Sequence, residues 1–219
     1  MVIAVVGNDS QFEEFNQKFG ELHQCSQFTD HEFLANQNSF DIVFDFSISD
    51  SPENLSYYQS YQGPLFLNTI QTTLAELSVF YELNEESTYG FNGMNTFINR
   101  PLIELTTFKN TEKKTVDNLL TSYKIVDDRV GMVTPRIICM IINEAFYTIQ
   151  EGTAAKTDID LGMRLGTNYP MGPFEWLEKI GVEQVYELLE ALYEDTKEER
   201  YKICPALKKE YLQFQATLR

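Results

Sequence analysis

The first residue of this 219-residue sequence that could do chemistry is Gly7, which follows the apolar run Val2 to Val6 (VIAVV) and precedes a helical pattern. A glycine between strand and helix lets backbone N–H groups approach a phosphate. The full device is GxGxxG, in which the second glycine admits a pyrophosphate and the third lets helix and strand pack closely. Here the run is Gly7-Asn8-Asp9-Ser10-Gln11-Phe12, so only the first glycine is present. A carboxylate at Asp9 within about 4 Å of a phosphate charge costs roughly 4 kcal/mol at an effective dielectric near 20, about a thousandfold in affinity. Asp9 also suits capping of a helix that begins near Gln11. Cys25, Cys139 and Cys204 form no CxxC pair and are odd in number, which fits reduced core thiols rather than a disulfide framework. Glu183, Glu187, Glu190, Glu194, Asp195, Glu198 and Glu199 have no histidine or cysteine among them, so they are read as a solvated helix face and no metal site is expected. His23 and His31 fall in a weak strand region and are read as surface residues.

The elements that must position these groups change character along the chain. VIAVV is a continuous β-branched run of the kind buried on both faces of a parallel sheet. Glu13 to Gly20 follows as a helix, with Phe12, Phe15 and Phe19 at core spacing and Gly20 at its end. Further strands are expected at Gln24 to Thr29, Asp41 to Phe46, Pro64 to Leu67, Tyr89 to Phe91 and Leu102 to Thr107. Leu55 to Tyr61, with Tyr57, Tyr58 and Tyr61, reads as a half-buried helix. Strands alternating with helix-length segments indicate an α/β sheet with crossovers.

From Thr111 onward the signals are helical. Thr111 to Tyr123 reads as a polar helix, and Pro135 to Gln150 as an apolar one buried all round. Thr157 and Asp160 resemble a capping box for a helix from Asp158 to Leu165 that ends at Gly166. Pro173 suits the first turn of a helix that Gly181 ends, and Val182 to Leu192 gives one more. The expected architecture is an α/β N-terminal domain with a mostly parallel sheet over residues 1–127, then an all-α domain over residues 128–219.

Seventeen Lys and Arg against 33 Asp and Glu give a net charge of -16. Residues 1 to 99 hold one basic residue, Lys18, and 14 acids. Such a field repels phosphate polymers, so neither nucleic acid nor an anionic membrane is an expected partner. Neither a signal peptide nor a membrane helix is expected, which points to a soluble, cytoplasmic protein.

The second half carries a series of motifs: NEA at Asn143 to Ala145, EG at Glu151 and Gly152, DID at Asp158 to Asp160, LG at Leu165 and Gly166, YPMGPFE at Tyr169 to Glu175, and CPALKK at Cys204 to Lys209. Over Asp128 to Leu207 the series resembles the C-terminal domain of the L-3-hydroxyacyl-CoA dehydrogenases. The resemblance implies an N-terminal Rossmann domain binding NAD, a helical domain making a homodimer, and acyl-CoA in the cleft. It also implies hydride transfer at the substrate's 3-carbon, with a place in fatty acid metabolism. A histidine held by a glutamate is then the general base, and a serine and an asparagine hold the substrate.

Carried over position by position, the family's GxHFFNP falls on Gly90 to Thr96, anchored by Gly90 and Asn95. The histidine becomes Asn92, and Glu104 takes the place of its partner. An amide has no proton affinity near neutral pH, so Asn92 can hold a substrate and cannot take its proton. The serine becomes Ile70 or Gln71, and the asparagine becomes Pro135, which has neither side-chain donor nor N–H. Asp30, 23 residues after Gly7, matches the ribose-binding acid. Ten residues separate Asp30 from Asp41, leaving no room for the family's helical excursion that holds CoA; the sequence also closes without the family's glycine-rich tail. Two readings follow: a family oxidoreductase with altered or reduced catalysis, and a non-catalytic dimeric binding module on the same scaffold. The second is favoured.

Overall fold

The computed structural model describes residues 1–31 and 40–218. It divides into two compact units, Met1–Met132 and Val133–Arg219.

The first unit is built on seven strands, β1 (Val2–Val6), β2 (Gln24–Phe28), β3 (Ile42–Asp45), β4 (Leu65–Asn68), β5 (Thr88–Phe91), β6 (Ile103–Thr107) and β7 (Tyr123–Ile125). They lie in the order β2-β1-β3-β4-β5-β6-β7. All neighbours pair in parallel except β5 and β6. Because the chain leaves β1 toward β2 on one side and returns to β3 on the other, the order reverses at β1. That is where open α/β sheets form a crevice at the carboxyl ends of their strands. The expected α/β sheet is present. The crossover between β2 and β3, where the sequence leaves no space for a helical excursion, falls largely outside the described residues.

Both faces of the sheet are buried. On one, Ile3, Val5, Phe44, Phe66, Phe91 and Leu105 meet Phe15 and Phe19 of α1 (Asp9–Phe19) and Val116 of α3 (Lys114–Leu119). The rings of Phe44, Phe66 and Tyr89 stack in sequence, at centroid distances of 4.3 and 4.5 Å. On the other face, Ala4, Val43, Leu65 and Leu67 meet Leu74 and Leu77 of α2 (Leu74–Phe80), with Ile48, Leu55 and Tyr58. Alternation along each strand sends side chains to opposite faces, which explains the unbroken apolar runs.

Three local expectations change in this unit. The helix read into Thr111 to Tyr123 is only the short α3; the Tyr-Lys-Ile that follows is edge strand β7, where pairing with β6 overrides local preference. α1 starts at Asp9 because Asn8 caps it: Asn8 Oδ1 accepts the Gln11 N–H and Gln11 Oε1 accepts the Asn8 N–H, both at 3.0 Å. Asp9 is therefore not the cap. The segment Pro52–Tyr58 is a 3-10 helix rather than an α-helix.

The second unit packs α5 (Lys156–Thr167), α6 (Pro173–Ile180), α7 (Val182–Thr196) and α8 (Pro205–Thr217) around α4 (Thr134–Gln150). α4 is not buried all round: Ile138, Ile142 and Phe146 are buried, while Ile137 is 52% exposed. α5 opens without a side-chain cap, since Asp160 is engaged elsewhere, and it runs through Gly166 to a left-handed Asn168 with φ of 59°. Pro173 and Gly181 bound α6 as expected. Among the described residues no helix is long and apolar enough to cross a membrane.

Candidate functional site

The polar residues of the first unit gather at the carboxyl ends of β1 to β5 and the amino end of the antiparallel β6, in two places. The first is the reversal point. A cavity of about 270 Å³ is lined there by Gly7, Asn8, Gln11, Thr29, Phe46 and Ser47, among others. Gly7 is fixed from β2: its N–H donates to the Phe28 carbonyl at 3.0 Å, and its carbonyl accepts from Gln27 Nε2 at 3.2 Å. A Cβ at Gly7 would stand 2.7 Å from Gln11 Oε1 and 3.3 Å from Phe46 Cβ, so a side chain here would displace the Gln11 amide from its place in the cap. Gln27 Nε2 also donates to Asp9 Oδ1 at 3.0 Å. The first turn of α1 thus meets the Asn8 and Gln11 side chains and a carboxylate. Asp30 is exposed and lies beyond Thr29, outside the lining.

The second place lies past β4 and β5, at the start of β6. Asn92 follows β5, and its N–H donates to the Glu104 carbonyl at 3.2 Å. Gly90 opposes Thr106 in the antiparallel register, so Asn92 and Glu104 extend the pairing on the same face. Both are buried. The structure therefore brings together the two residues assigned by resemblance to base and partner. The Asn92 amide is used locally, its Oδ1 accepting the Met94 N–H at 3.2 Å. Asn68, at the end of β4, ties three strand ends: its Nδ2 donates to the Phe46 carbonyl at 3.2 Å, and its Oδ1 accepts the Gly93 N–H at 3.1 Å. Asn95 is half-buried in the next turn. That loop is held against α1 by Glu14, whose oxygens accept the Thr96 and Asn99 N–H groups at 2.7 and 3.0 Å. Ile70, at the serine position, is fully buried, and Pro135 is buried in the first turn of α4.

Two groups escaped the sequence reading. Asp45, fully buried in β3, accepts from His31 Nε2 at 2.8 Å, Tyr58 Oη at 2.7 Å, and the Ser47 N–H and Oγ at 2.8 and 2.7 Å. His31, read as a surface residue, is in fact buried, with its ring stacked on Tyr57 at 5.3 Å. A carboxylate inside an otherwise apolar strand must find donors, so Asp45 in DIVFDF was the signal available. Burial, and then the neighbouring Asp45 carboxylate, hold the Tyr58 phenol well above its ordinary pKa. Asp128 accepts the Leu74 and Ala75 N–H groups at 3.0 and 2.8 Å and the Thr106 hydroxyl at 3.2 Å, joining α2 to β6. Among the described residues no group of three His, Cys, Asp or Glu could hold a metal ion.

In the helical unit the motifs are joined by hydrogen bonds. Asn143 accepts the Cys204 N–H at 2.9 Å and donates to the Lys202 carbonyl at 2.9 Å, and Gln150 Oε1 accepts the Ala206 N–H at 3.1 Å. Asp160 Oδ1 accepts the Phe174 N–H at 2.8 Å, and Arg164 pairs with Glu175 at 3.1 Å. Residues 131–214 match the C-terminal domain of 3-hydroxyacyl-CoA dehydrogenase. This unit is therefore similar to the C-terminal domain of the 3-hydroxyacyl-CoA dehydrogenases. The chain is similar to the 3-hydroxyadipyl-CoA dehydrogenase of Escherichia coli, 44% identical over 87 residues, which are 40% of this chain and 18% of that protein. It is also similar to a 3-hydroxybutyryl-CoA dehydrogenase of Clostridioides difficile, 28% identical over 152 residues, 66% of this chain and 54% of that one. The chain thus spans about half or less of these curated relatives. Its fold is like that of Mycobacterium tuberculosis FadB2, with a TM-score of 0.76 at 16% identity, covering 97% of this chain and 94% of that one. The (S)-3-hydroxybutyryl-CoA dehydrogenase of Ralstonia eutropha is alike in fold at a TM-score of 0.70 and 17% identity, covering 95% and 92% of the two chains.

Proposed function

We propose that this chain is a member of the 3-hydroxyacyl-CoA dehydrogenase family that has lost hydride-transfer catalysis and works as a dimeric binding module. The observation that carries the reading is Asn92 beside Glu104. The pair has the placement of a base and its partner, yet an amide cannot accept the substrate's hydroxyl proton at neutral pH. NAD is the cofactor that family resemblance suggests, and the Gly7 turn does not fit it. A pyrophosphate needs free N–H groups at a helix N-terminus; here Asn8 and Gln11 satisfy each other, and Asp9 adds a negative charge. Acyl-CoA, a second polyanion, meets the same field of one lysine against 14 acids over residues 1 to 99. The free thiols Cys139 and Cys204 are buried and suit a reducing, cytoplasmic compartment.

The homodimer rests on α5. It is amphipathic in sequence and yet has no buried residue, with Leu165 79% exposed. An apolar helix face left in water is the mark of a surface that a partner covers, and a second copy is the simplest symmetric partner.

Absorbance of NADH in the presence of acetoacetyl-CoA, with calorimetry of NADH binding, tests the first part: neither turnover nor sub-millimolar binding is expected, and clear turnover overturns the reading. Sedimentation tests the second, with dimers expected for the wild type and monomers for Leu161→Glu/Leu165→Glu.

A further inference from the structure

Away from the polar strand ends, the first unit has a second cavity, of about 300 Å³, between α2 and the 3-10 segments that follow β3. Its floor is Ile48 and Leu77, both buried, and its walls include Pro52, Tyr81 and Phe80. The apolar surface does not stop at the cavity. Phe80 lines it while remaining 75% exposed, and Val79, next to it, is equally exposed. A small apolar molecule held in the cavity leaves this outer surface in water; a longer occupant covers both. α2 itself cannot move to cover them, because Asp128 and the Thr73 cap fix its first turn, with Glu76 N–H donating to Thr73 Oγ1 at 3.0 Å.

The charged residue that lines the groove is an acid, Glu76, and the residues next in sequence to the lining residues Ser49, Pro52 and Tyr81 are the acids Asp50, Glu53 and Glu82; all four are exposed. The sequence holds no Lys, Arg or His from residue 32 to residue 99, so the segments that build the groove carry acids and no basic residue. An occupant complementary to this surface is apolar along one stripe and cationic along its flanks. Complementary charge of that kind guides encounter and sets register, while buried apolar anchors supply affinity.

We propose that the groove bounded by Ile48, Pro52, Leu77, Phe80 and Tyr81 docks a basic amphipathic helix of a protein partner, its apolar residues at helical spacing entering the cavity and covering Val79 and Phe80. This deepens the reading of the chain as a binding module and rests on it.

The test is a fluorescence-anisotropy titration of the full chain against a labelled basic amphipathic helix of about 18 residues, long enough to give a helical stripe of apolar anchors. Two controls accompany it: a scrambled peptide of the same composition, and a peptide with the same apolar stripe and Glu for Lys. The helix is expected to bind in the micromolar range and both controls at least about tenfold more weakly. Phe80→Ser and Val79→Ser change exposed side chains and are expected to leave the thermal melt unchanged while weakening binding by about tenfold each. Glu76→Gln is expected to reduce the salt dependence of binding. Absence of binding, equal binding of the scrambled peptide, or indifference to Phe80→Ser overturns the proposal. So does self-association abolished by Phe80→Ser, which gives the groove to a second copy. Turnover of acetoacetyl-CoA sinks the non-catalytic reading by a separate measurement, and failure of the peptide alone sinks only the groove.

Discussion

Asp160 reaches across from α5 to cap α6, its Oδ1 accepting the Phe174 N–H at 2.8 Å over fourteen residues of sequence. Gly172 is shaped by the same contact: a Cβ there would lie 2.2 Å from Asp160 Oδ1 and 2.4 Å from its Cα. Glu175 closes the turn by accepting the Gly172 N–H at 2.8 Å. DID and GPFE thus form one interlocked joint rather than two separate motifs.

Asp160→Ala removes a cap and is expected to cost about 1 kcal/mol. Gly172→Ala forces a Cβ against the Asp160 backbone and side chain and is expected to cost about 1–3 kcal/mol. The two share a partner, so the double variant is expected to lose less than the sum. Midpoints of urea unfolding for the four proteins measure this.

How legible this was can be judged from individual residues. VIAVV, DIVFDF and the Pro173 and Gly181 boundaries are local signals, and the chain obeys them. β7 was not readable, because Tyr-Lys-Ile becomes a strand only through β6 beside it. Asp160 was misread as part of its own helix's cap because its real acceptor role depends on how α5 packs on α6, which no local pattern encodes. His31 was misread for the same reason: its partner Asp45 is a neighbour in space only. Asn92 and Glu104 were paired through resemblance, and the antiparallel register of β5 and β6 supplies the physical cause of their proximity.

Asp45→Ala leaves the buried Tyr58 hydroxyl, His31 and the Ser47 N–H without their shared acceptor. A stability loss of about 3 kcal/mol or more is expected, because unsatisfied buried donors cost more than the bonds themselves contribute. Asp45→Asn keeps one acceptor oxygen and is expected to lose less. Chemical denaturation of both variants orders them, and equal stability of wild type and Asp45→Ala would show the network to be dispensable.

Alkaline pH acts on the same network. Burial and the Asp45 carboxylate raise the Tyr58 phenol, and burial followed by Asp41 raises Tyr61. The unfolded chain gives up these protons near pH 10, its ordinary tyrosine value, while the folded chain retains them. Stability is therefore fully present below about pH 10 and falls as the pH rises above it. The melting temperature is expected to stay level to about pH 10 and then decline, and Tyr58→Phe is expected to flatten that decline at the cost of about 1.5–3 kcal/mol at neutral pH, the value of a hydrogen bond to a charged group.

Asn92→His places an imidazole on the face it shares with Glu104, restoring the residue types of base and partner. It is expected to fold, with about 1–3 kcal/mol lost because the buried Met94 N–H is left without the Asn92 oxygen. It is not expected to oxidise NADH with acetoacetyl-CoA, because proton transfer contributes about 10²–10⁴-fold and only to a substrate and cofactor already held. At the Gly7 turn the Asn8 and Gln11 N–H groups are still taken by each other's side chains, and Asp9 still repels a phosphate. Adding Asp9→Gly and Phe12→Gly to Asn92→His restores the glycines of the fingerprint and is the combination from which NADH binding, read by fluorescence, is first expected. Turnover by Asn92→His alone would mean that the cofactor turn already works, and the loss of function would then lie in one side chain.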